Sequence, residues 1–324
     1  MKEKAKLSVV AKLSPAEQVD YIKKAMGYRV YAKPPQYWLD TGFPYLNKVM
    51  GSKKLGLAYG KIYLIAGKPS SGKSVLAAKL SGLAQKDGAH CGWIDPENSF
   101  DKRHVGHQGL DAENVALFEP EYGEFTKKMK DKKQNTQKLI LAERPETAEE
   151  LCTRAEVWMQ LQRKYDRDGK VCLVLDSTNA ISPEEEMLAG LTDQNMRTKS
   201  SSAVFLNLLL KRWVSVAEHT NAIIILIAQL RTNPKTLYGN PDYVSGGNGI
   251  IYYPSSITWM RRISNGEILR HGRQVGVMGT MSNQKNKVGG GSREHKKAGY
   301  KVMFNEDAWQ FMDVERIKKE KEIE

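Results

Sequence analysis

Short apolar runs recur along the chain, each closed by Gly, Pro, Asn or Asp. Longer stretches lie between them, with apolar residues returning every three or four positions. The runs are "KIYLIAG" (61–67), "CGWID" (91–95), "VCLVLD" (171–176), "NAIIILIA" (221–228), "SITWMRRI" (256–263) and "VGVMGTMSN" (275–283). They lack the strict polar–apolar alternation of a half-exposed strand, so they predict strands buried on both faces. Between the first four lie helical stretches, notably 73–86, 147–164 and 200–217. Strands alternating with helices predict an α/β fold: a mostly parallel, twisted sheet flanked by helices.

The ends and interruptions of this pattern suggest the organisation. Residues 1–35 read as a separate N-terminal helical arm, 36–310 as the core and 311–324 as a short charged tail. In the arm, Ser14 is the expected N-cap, Pro15 the first helical residue and Glu17 the closing member of a capping box. Val19, Ile22 and Met26 then give that helix an apolar stripe, and "KPPQYW" (33–38) breaks it from the core. A lysine-rich stretch, "YGEFTKKMKDKKQNTQKL" (121–138), interrupts the rhythm. Its residues fit a solvated surface excursion or a DNA-facing insertion. The tail "RIKKEKEIE" reads as a solvated mixed-charge helix. After the fourth strand the chain spends residues 231–249, "RTNPKTLYGNPDYVSGGNG", on turn formers and two cations, Arg231 and Lys235. Compact domains rarely carry so long an irregular connection unless it works.

Charge sharpens this picture. The 324 residues carry 50 Lys+Arg against 37 Asp+Glu, a formal charge of +13, which favours polyanionic partners, nucleic acid first. With 40% hydrophobic residues the chain can bury a sizeable core. Cys91, Cys152 and Cys172 match no zinc spacing and read as buried reduced thiols. No segment approaches the ~20 apolar residues of a membrane span, and the N-terminus lacks a signal-peptide core. The expectation is an intracellular, reducing compartment and no membrane.

"GKPSSGKS" (67–74) leaves the first strand and opens a helix. The loop of Gly67, Lys68, Pro69, Ser70, Ser71, Gly72, Lys73, Ser74 and Val75 can wrap a polyphosphate at a helix N-terminus, with every backbone N–H but the one Pro69 lacks as a potential donor. Lys73 would place its charge on the β- and γ-phosphates, and Ser74 would offer a hydroxyl to Mg²⁺, so ATP with Mg²⁺ is the expected ligand. Asp176 ends the third strand, where it either holds the metal through water or caps the next turn. "WIDPEN" ends the second strand: Glu97 is the candidate base for an attacking water, and Asp95 reads as structural. Gln229 ends the fourth strand beside the long loop, where an amide can sense a γ-phosphate.

Taken together these segments resemble the RecA family of strand-exchange recombinases, over about Asp40 to Asn305. The entry "LDTGFPYLNKVMGSKKLGLAYGKIYLIAGKPSSGKS", "WIDPENSFD", "QGLDAENV", "LVLDS", "AQLR…YGNPDYVSGGNG" and "KNK" (285–287) carry the likeness. The divergent strands and compact size most resemble phage recombinases of the UvsX kind. The resemblance implies a RecA-like P-loop ATPase core that forms helical filaments on single-stranded DNA and pairs them with a duplex. It also implies possible aid from a single-strand-binding protein and a loading mediator, in a host cytoplasm or phage compartment. It places Asp101 and His104 near the adenine, and sends Lys285 and Lys287 into the neighbour's ATP site; the residues alone equally allow two solvated lysines. It assigns DNA contact to the loop after Gln229, with Arg231, Lys235, Asn240, Gly246, Gly247, Asn248 and, from the preceding helix, Lys211. Tyr238 either stacks on a base or packs under its own loop. A first DNA loop is expected at 183–200, with Met196, Arg197 and Lys199 as candidates. The arm is expected to dock on an adjacent protomer. The residues after 305 are too few for the bacterial C-terminal domain. A hexameric helicase of the same fold and a non-exchanging regulatory ATPase are the alternative functions.

Overall fold

A computed structural model describes residues 14, 17, 34–130, 136–188, 196–234, 241–288 and 296–321. The chain divides into two compact units, Met1–Gln36 and Tyr37–Glu324. In the first, Ser14 and Glu17 form the expected capping box. The Ser14 N–H and hydroxyl donate to Glu17 Oε2 at 2.9 and 2.7 Å, and the Glu17 N–H donates to Ser14 Oγ at 3.4 Å. Pro15 and the Val19, Ile22 and Met26 stripe lie outside the described residues.

In the second unit, ten strands among the described residues form one sheet, in the order β14-β13-β12-β11-β3-β9-β8-β4-β5, with β10 paired to β9. The strands are β3 (Lys61–Gly67), β4 (Ala89–Ile94), β5 (Val115–Phe118), β8 (Lys170–Leu175), β9 (Ala222–Thr232), β10 (Asp242–Val244), β11 (Ser256–Arg270), β12 (Arg273–Asn286), β13 (Lys297–Met303) and β14 (Trp309–Met312). From β11 to β5 the path is parallel, whereas β12, β13 and β14 are antiparallel. Two short strands, β1 (Trp38–Leu39) and β2 (Leu57–Ala58), pair with each other before it. The α/β expectation therefore holds, and "KIYLIAG" occupies β3 end to end.

Period-two side-chain alternation divides the sheet's residues between two cores. Tyr63, Ile65, Cys172, Val174, Ile223, Ile225 and Ile227 face one side. Helix α1 (Pro44–Met50) and helix α2 (Lys73–Lys86), through Val75, Leu76, Leu80 and Ala84, join that core. Ile62, Leu64, Leu173, Leu175, Ile224 and Leu226 face the other. There α4 (Ala148–Tyr165) brings Leu151, Ala155 and Met159, and α6 (Met196–Thr220) brings Leu206, Leu210 and Trp213. Between β4 and β5 lies α3 (Lys102–Gly106), and α5 (Glu184–Leu188) precedes α6. Each fully buried Leu or Ile contributes about 1.5–3 kcal/mol relative to exposure. That burial holds the central strands in register whatever the loops do. Thr147 and Glu150 form a capping box that starts α4, with the Thr147 N–H donating to Glu150 Oε2 at 2.8 Å.

The 121–138 stretch contributes β6 (Tyr122–Lys130), which pairs antiparallel with β7 (Thr136–Pro145), and residues 131–135 lie outside the described residues; the pairing satisfies backbone groups and fits either reading of the stretch. Two other expectations are corrected. The tail is not merely solvated. In α8 (Val314–Lys321) Ile317 is fully buried and packs so close to Gly299 that a Cβ there would meet it at 2.6 Å. β9 runs four residues beyond the predicted 228, so Gln229 and Arg231 are strand residues. β10 folds back on it, with Val244 opposite Leu230 and Tyr243 opposite Arg231. Much of the supposed irregular loop is thus a hairpin stem, and residues 235–240 at its tip lie outside the described residues.

Candidate active site

The C-terminal ends of β3, β4, β8 and β9 converge, and each delivers one expected group. β3 feeds the phosphate loop. Gly67 has no room for a side chain: a Cβ would strike Ser71 Oγ and the Met260 carbonyl at 2.7 Å. Gly72, at φ 84°, turns the chain through the left-handed region into α2, and Ser70 is also left-handed at φ 57°. From below, Tyr300 Oη donates to the Ser71 carbonyl at 2.7 Å. Lys73 Nζ donates to the Lys68 carbonyl at 3.0 Å. Burial lowers the Lys73 pKa, opposed by the Asp176 and Glu97 carboxylates, which favour its charged form. Ser71 Oγ is buried and has no hydrogen-bond partner among the described residues. It packs against Gly67, and a buried donor hydroxyl without a partner in this loop fits a phosphate. Pro69 and Val75 flank this loop, Val75 buried in the first turn of α2.

Asp176 follows β8. Its N–H donates to the Ile94 carbonyl at 3.0 Å, which sets it beside the end of β4. Burial pushes its carboxyl up to about 6; a hydrogen bond with Ser74 opposes this, and Glu97 and Asp95 add to it. A buried carboxylate touching the Ser74 hydroxyl beside two other acids has an electrostatic need for a cation. Among the described residues no cluster of three or more His, Cys, Asp or Glu side chains could hold a metal alone. Ser74 and Asp176 fit Mg²⁺ only together with phosphate oxygens and water, as that ion ordinarily binds.

Glu97 Oε1 accepts a 2.6 Å bond from the Ser177 hydroxyl. Asp95 is fully buried and takes N–H bonds from Ser99 and Phe100, both at 2.6 Å, and from Glu97 at 3.2 Å. It therefore shapes the turn that presents Glu97, the structural role expected of it. Gln229 pairs with Gly67 in the β3–β9 register, and its N–H donates to Asn179 Oδ1 at 2.9 Å. Ser177 and Asn179 escaped sequence reasoning: "LVLDSTN" shows them next to Asp176, but nothing local says which strand their side chains face.

Other expected residues fall in mixed places. Asp101 is exposed and caps α3, accepting from the Arg103 and His104 N–H groups at 2.8 and 3.3 Å. Both bonds go to Oδ1, so the cap uses one oxygen of an exposed carboxylate. His104 is half-buried and 6.5 Å, ring to ring, from Phe304. Lys68 is exposed and lies 3.8 Å from Asp242, which also binds Thr232 Oγ1 at 2.9 Å and Arg261 at 3.1 Å.

Lys285 is not free to project. It lies within β12, and its Nζ donates to the Ile251 and Tyr252 carbonyls at 2.8 and 2.6 Å, at the end of α7 (Gly249–Tyr252). Burial, then the charge of Lys287, lowers its pKa to about 8. Lys287 is exposed. Lys285 pairs with Ile257, which pairs with Leu64, three residues before Gly67. Lys285 therefore stands about 10 Å down the sheet from its own phosphate loop and two strands across, and Lys287, whose N–H donates to the Ser255 carbonyl, lies further down still.

On the side expected to meet DNA, Lys211 on α6 and Arg231 on β9 are exposed, as is Asn248 at the start of α7. Gly246 (φ 117°) and Gly247 (φ 76°) lie against α6, where added Cβ atoms would meet Leu206 at 3.0 Å and Ala203 at 2.9 Å. Close packing on a helix already requires these glycines, before any ligand is considered. Met196, Arg197 and Lys199 fall in the first turn of α6 instead of a loop, with side chains outside the described residues. Lys235, Tyr238 and Asn240 also lie outside them. No helix among the described residues is long and apolar enough to cross a membrane.

A phosphate loop leaving the middle of a parallel sheet, with acids and an amide on the neighbouring strand ends, defines the class of phosphate-loop α/β proteins. Within it, the chain belongs to the RecA family: the RecA N-terminal domain matches residues 38–143 and 135–308. Protein RecA of Wolinella succinogenes is 29% identical over 254 residues, covering 78% of this chain and 61% of that protein. Protein RecA of Sulfurimonas denitrificans is 28% identical over 271 residues, covering 83% of this chain and 66% of that protein. The chain spans under two thirds of the length of these relatives.

Proposed function

We propose that the chain is an ATP-dependent recombinase core that assembles on single-stranded DNA and hydrolyses ATP between adjacent subunits. The observation that carries it is the Glu97–Ser177 bond, which sets a carboxylate facing Asp176 and Lys73 across the strand ends. The RecA relatives and the +13 charge support DNA as the partner.

In this reading the loop from Gly67 to Val75 wraps the phosphates, and Lys73 neutralises the β- and γ-phosphoryl oxygens. Ser74 and Asp176 would hold Mg²⁺, which would supply further positive charge there. Glu97 takes a proton from the attacking water; a bond forms from that oxygen to the γ-phosphorus as the bond to the β–γ bridging oxygen breaks, leaving ADP and phosphate. Gln229 senses the γ-phosphate. Lys285 and Lys287 serve the ATP of the next subunit, a role for which their distance from their own phosphate loop argues. Arg231, Lys211 and Asn248 line the DNA side, with Met196, Arg197, Lys199, Lys235, Tyr238 and Asn240 assigned there by the family resemblance alone, as Asp101 and His104 are to the adenine.

The finer likeness to phage recombinases of the UvsX kind is part of the proposal and rests on the divergent strands. A duplex partner, a single-strand-binding protein, a loading mediator, arm-to-core docking and a phage or host-cytoplasmic setting rest on the same resemblance. Negative-stain images of the chain with single-stranded DNA and a non-hydrolysable ATP analogue test the reading. Long filaments are expected; closed rings would replace it with a hexameric helicase, and isolated particles with a regulatory ATPase.

A further inference from the structure

We propose that Asn179 is a positioning residue that couples the nucleotide site to the DNA-facing turn, an inference that rests on the reading of the chain as a DNA-dependent ATPase. β8 stops pairing with β9 at Leu175 opposite Leu226. Beyond that point two substitutes continue the ladder. The Thr178 N–H donates to the Ile227 carbonyl at 2.9 Å, and Asn179 Oδ1 accepts the Gln229 N–H at 2.9 Å. The Asn179 side chain thus stands where a further strand residue would. An N–H can only donate, so Oδ1 must face β9 and the amide nitrogen must face the other way. That nitrogen donates to Ser245 Oγ. Ser245 directly precedes Gly246 and Gly247, which are packed on Ala203 and Leu206 of α6.

One carboxamide therefore touches the β9 residue paired with Gly67 and, on its other side, the turn that abuts α6. A displacement of Gln229 reaches Ser245 through two hydrogen bonds and one rigid amide plane. The glycines cannot absorb it, because little space separates them from the helix. This is a contiguous physical connection between two sites.

The test compares the parent with Asn179→Ala, Ser245→Ala and the double variant. Ser245→Ala cuts only the turn end and keeps the Gln229 bond, so it stands in should Asn179→Ala fail to fold. The affinity for a single-stranded oligothymidine is measured with ADP and with a non-hydrolysable ATP analogue. The ratio of the two should fall at least about fivefold in either single variant and no further in the double, with the KM for ATP held within about twofold. Ratios matching the parent's in both single variants overturn the proposal. Hydrogen–deuterium exchange over residues 242–248, with and without nucleotide and without DNA, separates this inference from the function it rests on. Nucleotide should slow exchange in the parent and not in the variants. A parent that binds no DNA sinks the recombinase reading, and exchange alone then decides the relay. Nucleotide-independent exchange in the parent, or equal responses in parent and variants, overturns it.

Discussion

Asp176→Asn should stabilise the chain while removing its use for a metal. Burial raises the Asp176 carboxyl from its ordinary 3.8 to about 6. The folded state thus holds this proton more tightly than the unfolded chain does. Stability from that difference is fully present below the unfolded pKa and is lost as pH rises through the folded one. With those two values, ionisation costs the folded state about 1.6 kcal/mol near pH 5 and about 3 kcal/mol near pH 8. An asparagine of nearly the same shape never ionises and can still accept from Ser74. It also deprives Lys73 of a partner, so about 3 kcal/mol is a ceiling. Urea unfolding of parent and variant in chelator, at both pH values and without nucleotide, measures the gain. The variant should be the more stable at both, and by a larger margin at the higher pH. Saturating Mg²⁺–ATP analogue should reverse the order near pH 5 and narrow the gap near pH 8, since a ligand at 100 times its Kd adds about 2.7 kcal/mol to whichever protein still binds it. A variant no more stable than the parent near pH 8, or an advantage unchanged between the two pH values, refutes the reasoning that this carboxylate is electrostatically strained.

Three further outcomes are expected. Glu97→Gln should bind ATP and DNA yet hydrolyse at least about 100-fold more slowly, because an amide takes up no proton; an unchanged steady-state rate removes Glu97 from the chemistry. Lys285→Ala combined with Lys287→Ala should lose DNA-stimulated turnover, and mixing that protein with Glu97→Gln should restore some, at interfaces that pair an intact Glu97 with intact lysines. No recovery in mixtures shown to co-assemble on DNA places the lysines outside the neighbour's site. Arg231→Ala should weaken single-strand binding whatever the base sequence and flatten the salt dependence by about 0.7 log units per log unit of salt; equal slopes mean that Arg231 does not touch phosphate.

How much of this was legible beforehand depended on how local each feature is. The buried strands, the helix over 73–86, the Ser14–Glu17 capping box and the phosphate loop were visible because each is written in consecutive residues: an apolar run, a Ser three before a Glu, a Gly-Lys-Ser at a strand end. Glu97 and Asp176 were legible because parallel strands present their C-terminal ends together, so an acid just past a strand lands near the phosphate loop. What escaped sequence reading at Asp101 was the capping of α3, since an Asp ahead of a short helix serves that helix end.

What the sequence alone determined was the period of burial along each strand, and with it the α/β class and the residues clustered at one edge of the sheet. Pairing decided the rest. The pairing of β6 with β7, the return of β10 onto β9, the burial of Ile317 and the tether of Lys285 each join segments whose complementarity no window of sequence displays. So does the carboxamide of Asn179 standing in for a missing strand. Each of those contacts needs two distant segments brought side by side, and only the folded chain says which segments meet.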